Sequence, residues 1–232
     1  MKKRIFASFI SLAALLVLSI PLSAQTQKQI KKPLKVFKEN IPLYNGTFVG
    51  VDLFGIGSKA FGGNSISSEV SVDVSLKNRF FPIAEVGFGK TDMDKNGISY
   101  QSSAPYFRLG MNYNLMYKKN NLSHIYIGAR YGFSSLSYDV KGPALTDDIY
   151  PTSNNTPFVY NGEKTNAHWM ELLFGIRAQV HKNFLMGWSL RYKARISVKE
   201  NEHSTPEYIP GFGNNKSTNF GATYSLIYKL PF

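Results

Sequence analysis

The sequence predicts an all-β chain folded as an eight-stranded antiparallel up-and-down transmembrane β-barrel. Three observations predict it. After Tyr44 the chain is a run of period-two segments, and no 3.6-residue apolar stripe interrupts them. The connections between segments alternate between short and long. The apolar face of the segments is too bulky to fill the inside of a tube of this size.

Residues 1–24 read as a secretory signal peptide. Lys2, Lys3 and Arg4 form the positive start, Ile5 to Ile20 the apolar run, and Pro21-Leu22-Ser23-Ala24 a cleavage site before Gln25. Residues 25–44 follow as a basic periplasmic segment carrying Lys28, Lys31, Lys32, Lys35 and Lys38. Lysines beside an anionic lipid surface contribute about 1 kcal/mol each, and a solvated lead-in accounts for them equally well. The formal charge of +12 is concentrated in these two segments. No nucleic-acid recognition motif accompanies it, so no nucleic-acid partner is expected. There is no cysteine, which removes both lipid attachment and disulfides. No other stretch approaches the roughly 20 apolar residues of a membrane helix.

The barrel occupies 45–232. Its strands are expected at about 47–55, 68–76, 80–90, 104–117, 123–138, 166–180, 184–198 and 217–232. Short polar turns (77–79, 118–121 and 181–183) join neighbours directly. Long connections (56–67, 91–103, 139–165 and 199–216) all fall at the opposite end. Short periplasmic turns and long external loops are the layout of an outer-membrane barrel.

The two faces set the orientation. In 106–117 one face holds Phe107, Leu109, Met111, Tyr113, Leu115 and Tyr117. In 184–198 one face holds Phe184, Met186, Trp188, Leu190 and Tyr192. The opposite faces are polar and thinned by glycines such as Gly87, Gly110, Gly132, Gly175 and Gly187. Eight strands enclose a bore that ordinary side chains just fill. The apolar face must therefore look outward, which only lipid makes stable.

The interior then receives Asp52, Glu69, Asp73, Glu85 and Glu171, with Arg108, Arg130, Arg177, Arg191, Lys193, Arg195 and Lys229. Unpaired charges in a confined space are costly. The acids lie mostly on early strands and the bases on later ones, so pairs across the lumen are expected. A salt-bridged plug is the favoured reading; a narrow charged channel is the alternative.

The last strand presents Tyr224, Leu226, Tyr228, Leu230 and Phe232 on one face. This ending resembles the C-terminal signal of bacterial outer-membrane barrels. Together with the signal peptide and the strand layout, the chain resembles small barrels of the OmpA/OmpX type. The stretch GWSLRYKARI, 187–196, is also similar to small outer-membrane barrels of Bacteroidetes-type bacteria. The resemblance implies an outer-membrane location, lipid as surroundings, the barrel-assembly machinery as partner during insertion, and a monomer. It implies no activity, cofactor or extracellular ligand.

Few residues suggest chemistry. Asp92-Met93-Asp94-Lys95-Asn96-Gly97 matches the first half of a calcium loop, but Ser103 stands where the bidentate acid belongs. A polar turn explains it better. His124, His168, His181 and His203 show no paired metal-ligand spacing. Asp147, Asp148 and His203 would suit a loop-borne protease, and outward His168 a lipase, but no serine motif accompanies the latter. No catalysis is expected. A structural or surface-interaction role is, with Tyr150, Phe158, Tyr160, Tyr208 and Phe212 as loop contact residues. A pore and a lipid- or peptide-acting enzyme are the rival roles.

Overall fold

The structure, a computed structural model, describes residues 41–57, 64–119, 121–144, 157–201 and 204–231. The signal peptide and most of the basic segment lie outside the described residues, as do Tyr150, Asp147, Asp148, His203 and Phe232. In chain order the elements are β1 (Tyr44–Asp52), α1 (Phe54–Gly57), β2 (Ser65–Leu76), β3 (Phe80–Lys95), β4 (Ile98–Asn114), β5 (His124–Ala144), β6 (Pro157–His181), β7 (Phe184–Val198), β8 (Tyr208–Ile209), β9 (Gly213–Asn214) and β10 (Thr218–Lys229). Strands β1 to β7 and β10 form a closed antiparallel barrel, each pairing with its chain neighbour, and β10 returns to pair with β1. Strands β8 and β9 form a separate small hairpin.

One end of the barrel carries tight turns. Lys77 and Asn78 both have φ of 52°, and Lys182 turns β6 into β7. These left-handed positions match the right-handed twist of the strands they join. The side-chain amide of Asn78 donates to the Lys119 carbonyl at 2.8 Å, which ties two turns together.

The other end departs from the expected loops. Residues 91–103 are strand, apart from a two-residue turn at Asn96 (φ 55°) and Gly97 (φ 77°). Asn-Gly is the strongest hairpin signal there is. Asp92 and Asp94 therefore stand opposite Gln101 and Ser99 in a ladder and do not form a coordinating loop. Strands β5 and β6 likewise extend into 139–144 and 157–165. At 21 and 25 residues they are about twice the roughly 9–11 needed to span a bilayer. Alternation fades in these stretches because a strand standing in water needs no apolar face.

Within the spanning region the sides are inverted relative to a soluble protein. Leu109 is 64% exposed and Trp188 65%, whereas Glu85 and Arg130 are each 2% exposed. Phe88, Phe107, Leu172, Phe174 and Ile176 also face outward. Rings of Phe80, Tyr113 and Tyr117 surround the Arg79 guanidinium at 4.7–5.2 Å near the tight-turn end. Phe184 and Tyr228 continue that belt, with ring centroids 4.9 Å apart. This is the wall of a transmembrane barrel, an apolar band bounded by aromatics.

The wall makes a testable distinction. Leu109→Arg is expected to lose about 2–4 kcal/mol in urea unfolding from phospholipid vesicles, because the new charge would face hydrocarbon. A change within about 0.5 kcal/mol, typical of a water-exposed site, would contradict the assignment.

Candidate functional site

The lumen is filled in layers. At the tight-turn end lies an apolar layer of Phe48, Phe81, Leu185 and Ile227, with Leu122 packed against it. Against it sits a separate ion pair. Arg177 donates from Nη1 to Asp73 Oδ1 at 2.9 Å and from Nη2 to Oδ2 at 2.6 Å, a bidentate fork. The same guanidinium lies 5.6–5.7 Å from the rings of Phe48, Phe81 and Tyr126. Cation–π attraction of this kind is strongest where water is excluded.

The middle layer takes one charge from each of six successive strands: Glu69, Glu85, Arg108, Arg130, Glu171 and Arg191. Glu85 accepts from Arg191 Nη1 at 2.9 Å, Arg130 Nε at 3.0 Å and Arg108 Nη1 at 3.2 Å. Glu69 accepts from Arg108, from Arg191 at 3.3 Å and from the Tyr106 hydroxyl at 3.0 Å. Glu171 pairs with Arg108 at 2.8 Å and Arg191 at 3.2 Å, and accepts the Trp169 indole N–H at 2.7 Å. Arg130 completes its donors on Asn112 Oδ1 and the carbonyls of Met111 and Ala129. Three carboxylates thus meet three guanidiniums, and all six are buried.

Above this layer the wall alone does not close the tube. The β8–β9 hairpin folds down into the mouth, with Ile209 and Phe212 fully buried among Tyr100, Tyr106, Leu136, Tyr138 and Trp169. The Gly211 carbonyl accepts from Arg108 Nη2 at 2.9 Å and Lys193 Nζ at 2.7 Å. Tyr100 and Tyr138 donate their hydroxyls to the carbonyls of Tyr208 and Ser204 at 2.9 and 2.8 Å. Gly211 has φ of +81°, and a Cβ there would strike the Tyr106 ring. Gly132 is bare for a similar reason, since a Cβ would overlap the Trp169 indole.

Two expectations need correction. Phe212 is buried and Tyr208 half-buried, so these two form a stopper inside the mouth and not an external contact surface. The sequence signal was the apolar turn YIPGFG, 208–213, within an otherwise polar loop. Arg195 is exposed at the rim, where it donates to Asn215 Oδ1. It lies one residue past the last β7–β10 pair, Ala194–Thr218, at the open mouth of the tube, where water reaches its guanidinium. Asn96 and Gly97 of the Asp92–Gly97 stretch form the tight polar turn of the β3–β4 hairpin.

The other charges have distinct places. Asp52 ends β1 and accepts the backbone N–H groups of Phe54 and Tyr224 through Oδ1. Lys229 is half-buried at the tight-turn end, 6.0 Å from the Phe48 ring. Tyr224, Leu226, Tyr228 and Leu230 lie along or just beyond β10, with Tyr224 packed edge-on against Trp188. Phe158 and Tyr160 stand on the β6 extension, their rings 5.8 Å apart. His168 faces outward and shares a 2.6 Å hydrogen bond with the Tyr131 hydroxyl. His124 points inward, stacked on Phe81, and His181 is exposed at a turn. Among the described residues no cluster of three or more His, Asp or Glu is arranged to hold a metal ion.

Breaking the ionic layer has an expected signature. Glu85→Ala strands buried guanidiniums and is expected to cost about 3–5 kcal/mol, whereas Glu85→Leu combined with Arg130→Met should recover much of it. Denaturant midpoints in lipid vesicles measure both; equal losses would show that packing, not charge pairing, holds the layer.

A family model described as "Domain of unknown function (DUF6048)" matches residues 5–232. No curated protein matches the sequence. Among solved structures, the chain is similar to Neisserial surface protein A (NspA), 12% identical, covering 81% of this chain and 99% of that one, TM-score 0.42. It is similar to a major outer membrane protein from Thermus thermophilus, 14% identical, covering 80% and 100%, TM-score 0.44. It is also similar to CarO of Acinetobacter baumannii, 13% identical, covering 82% and 98%, TM-score 0.36. Likenesses this distant bear on neither ligand nor activity.

Proposed function

We propose that this chain, which belongs to the DUF6048 family, is an integral outer-membrane barrel with a sealed lumen and a structural or surface-interaction role. One observation carries the reading: six buried charges pair with one another between two apolar layers, the upper one completed by the β8–β9 hairpin. A pore for polar solutes needs a continuous wet path. The packing of Phe48, Phe81, Leu185 and Ile227 below the charges supports a lumen without such a path. No catalytic role belongs to this reading, in which the charges brace the wall.

The orientation follows the membrane logic. The tight turns face the periplasm and the long β5–β6 hairpin projects outward, which supports a surface role for that hairpin. Residues 1–24 act as the export signal and 25–44 as a basic periplasmic lead-in. The outer face of β10, with Tyr224, Leu226, Tyr228 and Leu230, is the surface that barrel-assembly machinery would read during insertion. The protein acts as a monomer, since barrel closure leaves no strand edge along most of the wall. The GWSLRYKARI stretch supports a Bacteroidetes-type setting in a Gram-negative outer membrane.

Planar-bilayer recording tests the sealed lumen. The purified protein is expected to give no steady conductance, and Arg191→Ala at most brief, irregular openings. A stable ohmic current that changes with Arg191→Ala would establish a charged pore and overturn the reading.

A further inference from the structure

Among the described residues the barrel wall has one short strand, β1, which leaves a seam on one side. Strand β1 stops at Asp52, opposite Ser225, and the Leu53 N–H adds one last bond to the Tyr224 carbonyl at 2.8 Å. Beyond that, among the described residues, β10 from Thr218 to Thr223 pairs only with β7. Across the gap, β2 from Ile66 to Ser68 pairs only with β3. The α1 turn stands between these two edges, with Gly55 seated tightly on Ser67. Phe54 lines the gap and is 51% exposed.

Two concavities meet at this seam. On the lumenal side is a polar vestibule of about 320 Å³, lined by Asp52, Glu69, Arg191, Lys193, Asn219 and Thr223 and bounded by the Gly211–Asn214 turn. On the outer wall is an apolar furrow of about 700 Å³, lined by Leu172, Phe174, Leu190, Tyr192, Phe220 and Ala222. A second apolar hollow of about 270 Å³ continues it past Trp188 and Ile176. Phe54, Phe220, Ala222 and Arg191 border both the vestibule and the furrow. Ligand sites typically measure about 300–1,000 Å³, so both main spaces suit a small molecule.

The polar half has donors to spare. The Lys193 ammonium has three donors and gives one to Gly211. Among the described residues no carboxylate lies within ion-pair distance of it. The Arg191 Nε–H is buried without an acceptor. Of the two carboxylates lining the vestibule, Asp52 already accepts two backbone N–H groups and Glu69 is held by Arg108, Arg191 and the Tyr106 hydroxyl. Arg191, Lys193 and Arg195 recur at every second position of β7, leading from the ionic floor to the rim. Phe220, 82% exposed, and Tyr192 mark the upper edge of the apolar band, where lipid headgroups begin.

We propose that the β1–β10 seam is a lateral binding site for a membrane amphiphile with one acyl chain and an anionic carboxylate or phosphate head. The chain lies in the outer furrow along β6, β7 and β10. The head passes beside Phe54 and is held by Lys193 and the Arg191 Nε–H. The ionic layer forms the floor, so the amphiphile is held at the seam and does not cross. The site rests on the reading of the chain as a sealed, membrane-inserted barrel, and it adds a ligand class to that reading.

Native mass spectrometry of the full chain released from detergent tests the site with palmitate, hexadecanol, acetate and inorganic phosphate as probes. One palmitate adduct is expected, with at least tenfold less hexadecanol adduct and no displacement of palmitate by acetate or phosphate. Lys193→Gln and Ala222→Trp are each expected to reduce palmitate occupancy at least tenfold. Ala84→Trp, outward on β3 and four strands around the ring from β7, should leave it unchanged. Equal adducts with palmitate and hexadecanol, or equal occupancy in all variants, would mean that acyl chains coat the wall generally and would overturn the site. Displacement by acetate or phosphate would point to a soluble-anion pocket and would overturn lateral entry. Gel mobility with and without boiling checks insertion-competent folding separately. If Lys193→Gln fails that check, Ala222→Trp, which only fills the outer furrow, decides.

Discussion

Glu85 accepts from guanidiniums on three other strands, β4, β5 and β7. That convergence is the constraint on which the rest of the molecule depends. A carboxylate in a narrow, water-poor tube is stable only if counter-charges and donors surround it. Meeting that need fixes which face of each strand turns inward. Because side chains alternate along a strand, it also fixes which face turns outward. The inward glycines are part of the same solution, since long arginines and a tryptophan need bare backbone opposite them, as at Gly132. The outward Leu, Phe and Trp residues then need hydrocarbon. One electrostatic demand inside and one solvation demand outside thus select a single register around the ring.

The closures at the two ends differ in kind. At the tight-turn end, side chains of the strands themselves meet as an apolar layer. At the other end the strands diverge into long extensions, and a separate hairpin supplies Ile209 and Phe212. Its anchor is the Gly211 carbonyl, which two cations share. The stopper and the ionic layer are therefore mechanically linked: Arg108 touches both. The seam is the exception to closure. Strand β1 ends early, and Asp52 takes the Tyr224 N–H, one of the β10 groups that a longer β1 would have paired.

Much of this was legible in the sequence. Strand number, the long–short alternation and the facing of Trp188 or Leu226 follow from period two and the size of an eight-stranded bore. Pairing across the lumen follows from acids on early strands and bases on later ones, as in Arg177 with Asp73. What was not legible lies where the membrane stops dictating pattern. The β3–β4 hairpin around Asn96-Gly97 reads as loop because a hydrated strand needs no apolar face. Arg195 continues the inward phase of β7, yet it is exposed because it lies past the last β7–β10 pair, at the open mouth of the tube. The stopper at 208–213 was hidden because burial by a returning loop depends on the shape of the mouth, which no local pattern encodes. The seam depends on where β1 ends relative to β10, a register fact invisible in either strand alone.

The most direct test of the central claim uses the absence of native cysteine. Single substitutions Met186→Cys, Gly187→Cys, Trp188→Cys, Ser189→Cys and Leu190→Cys can each be spin-labelled in the membrane-inserted protein. Oxygen accessibility should then alternate, high at 186, 188 and 190 and low at 187 and 189. The opposite phase, or no alternation, would contradict an apolar wall facing lipid around an ionic interior.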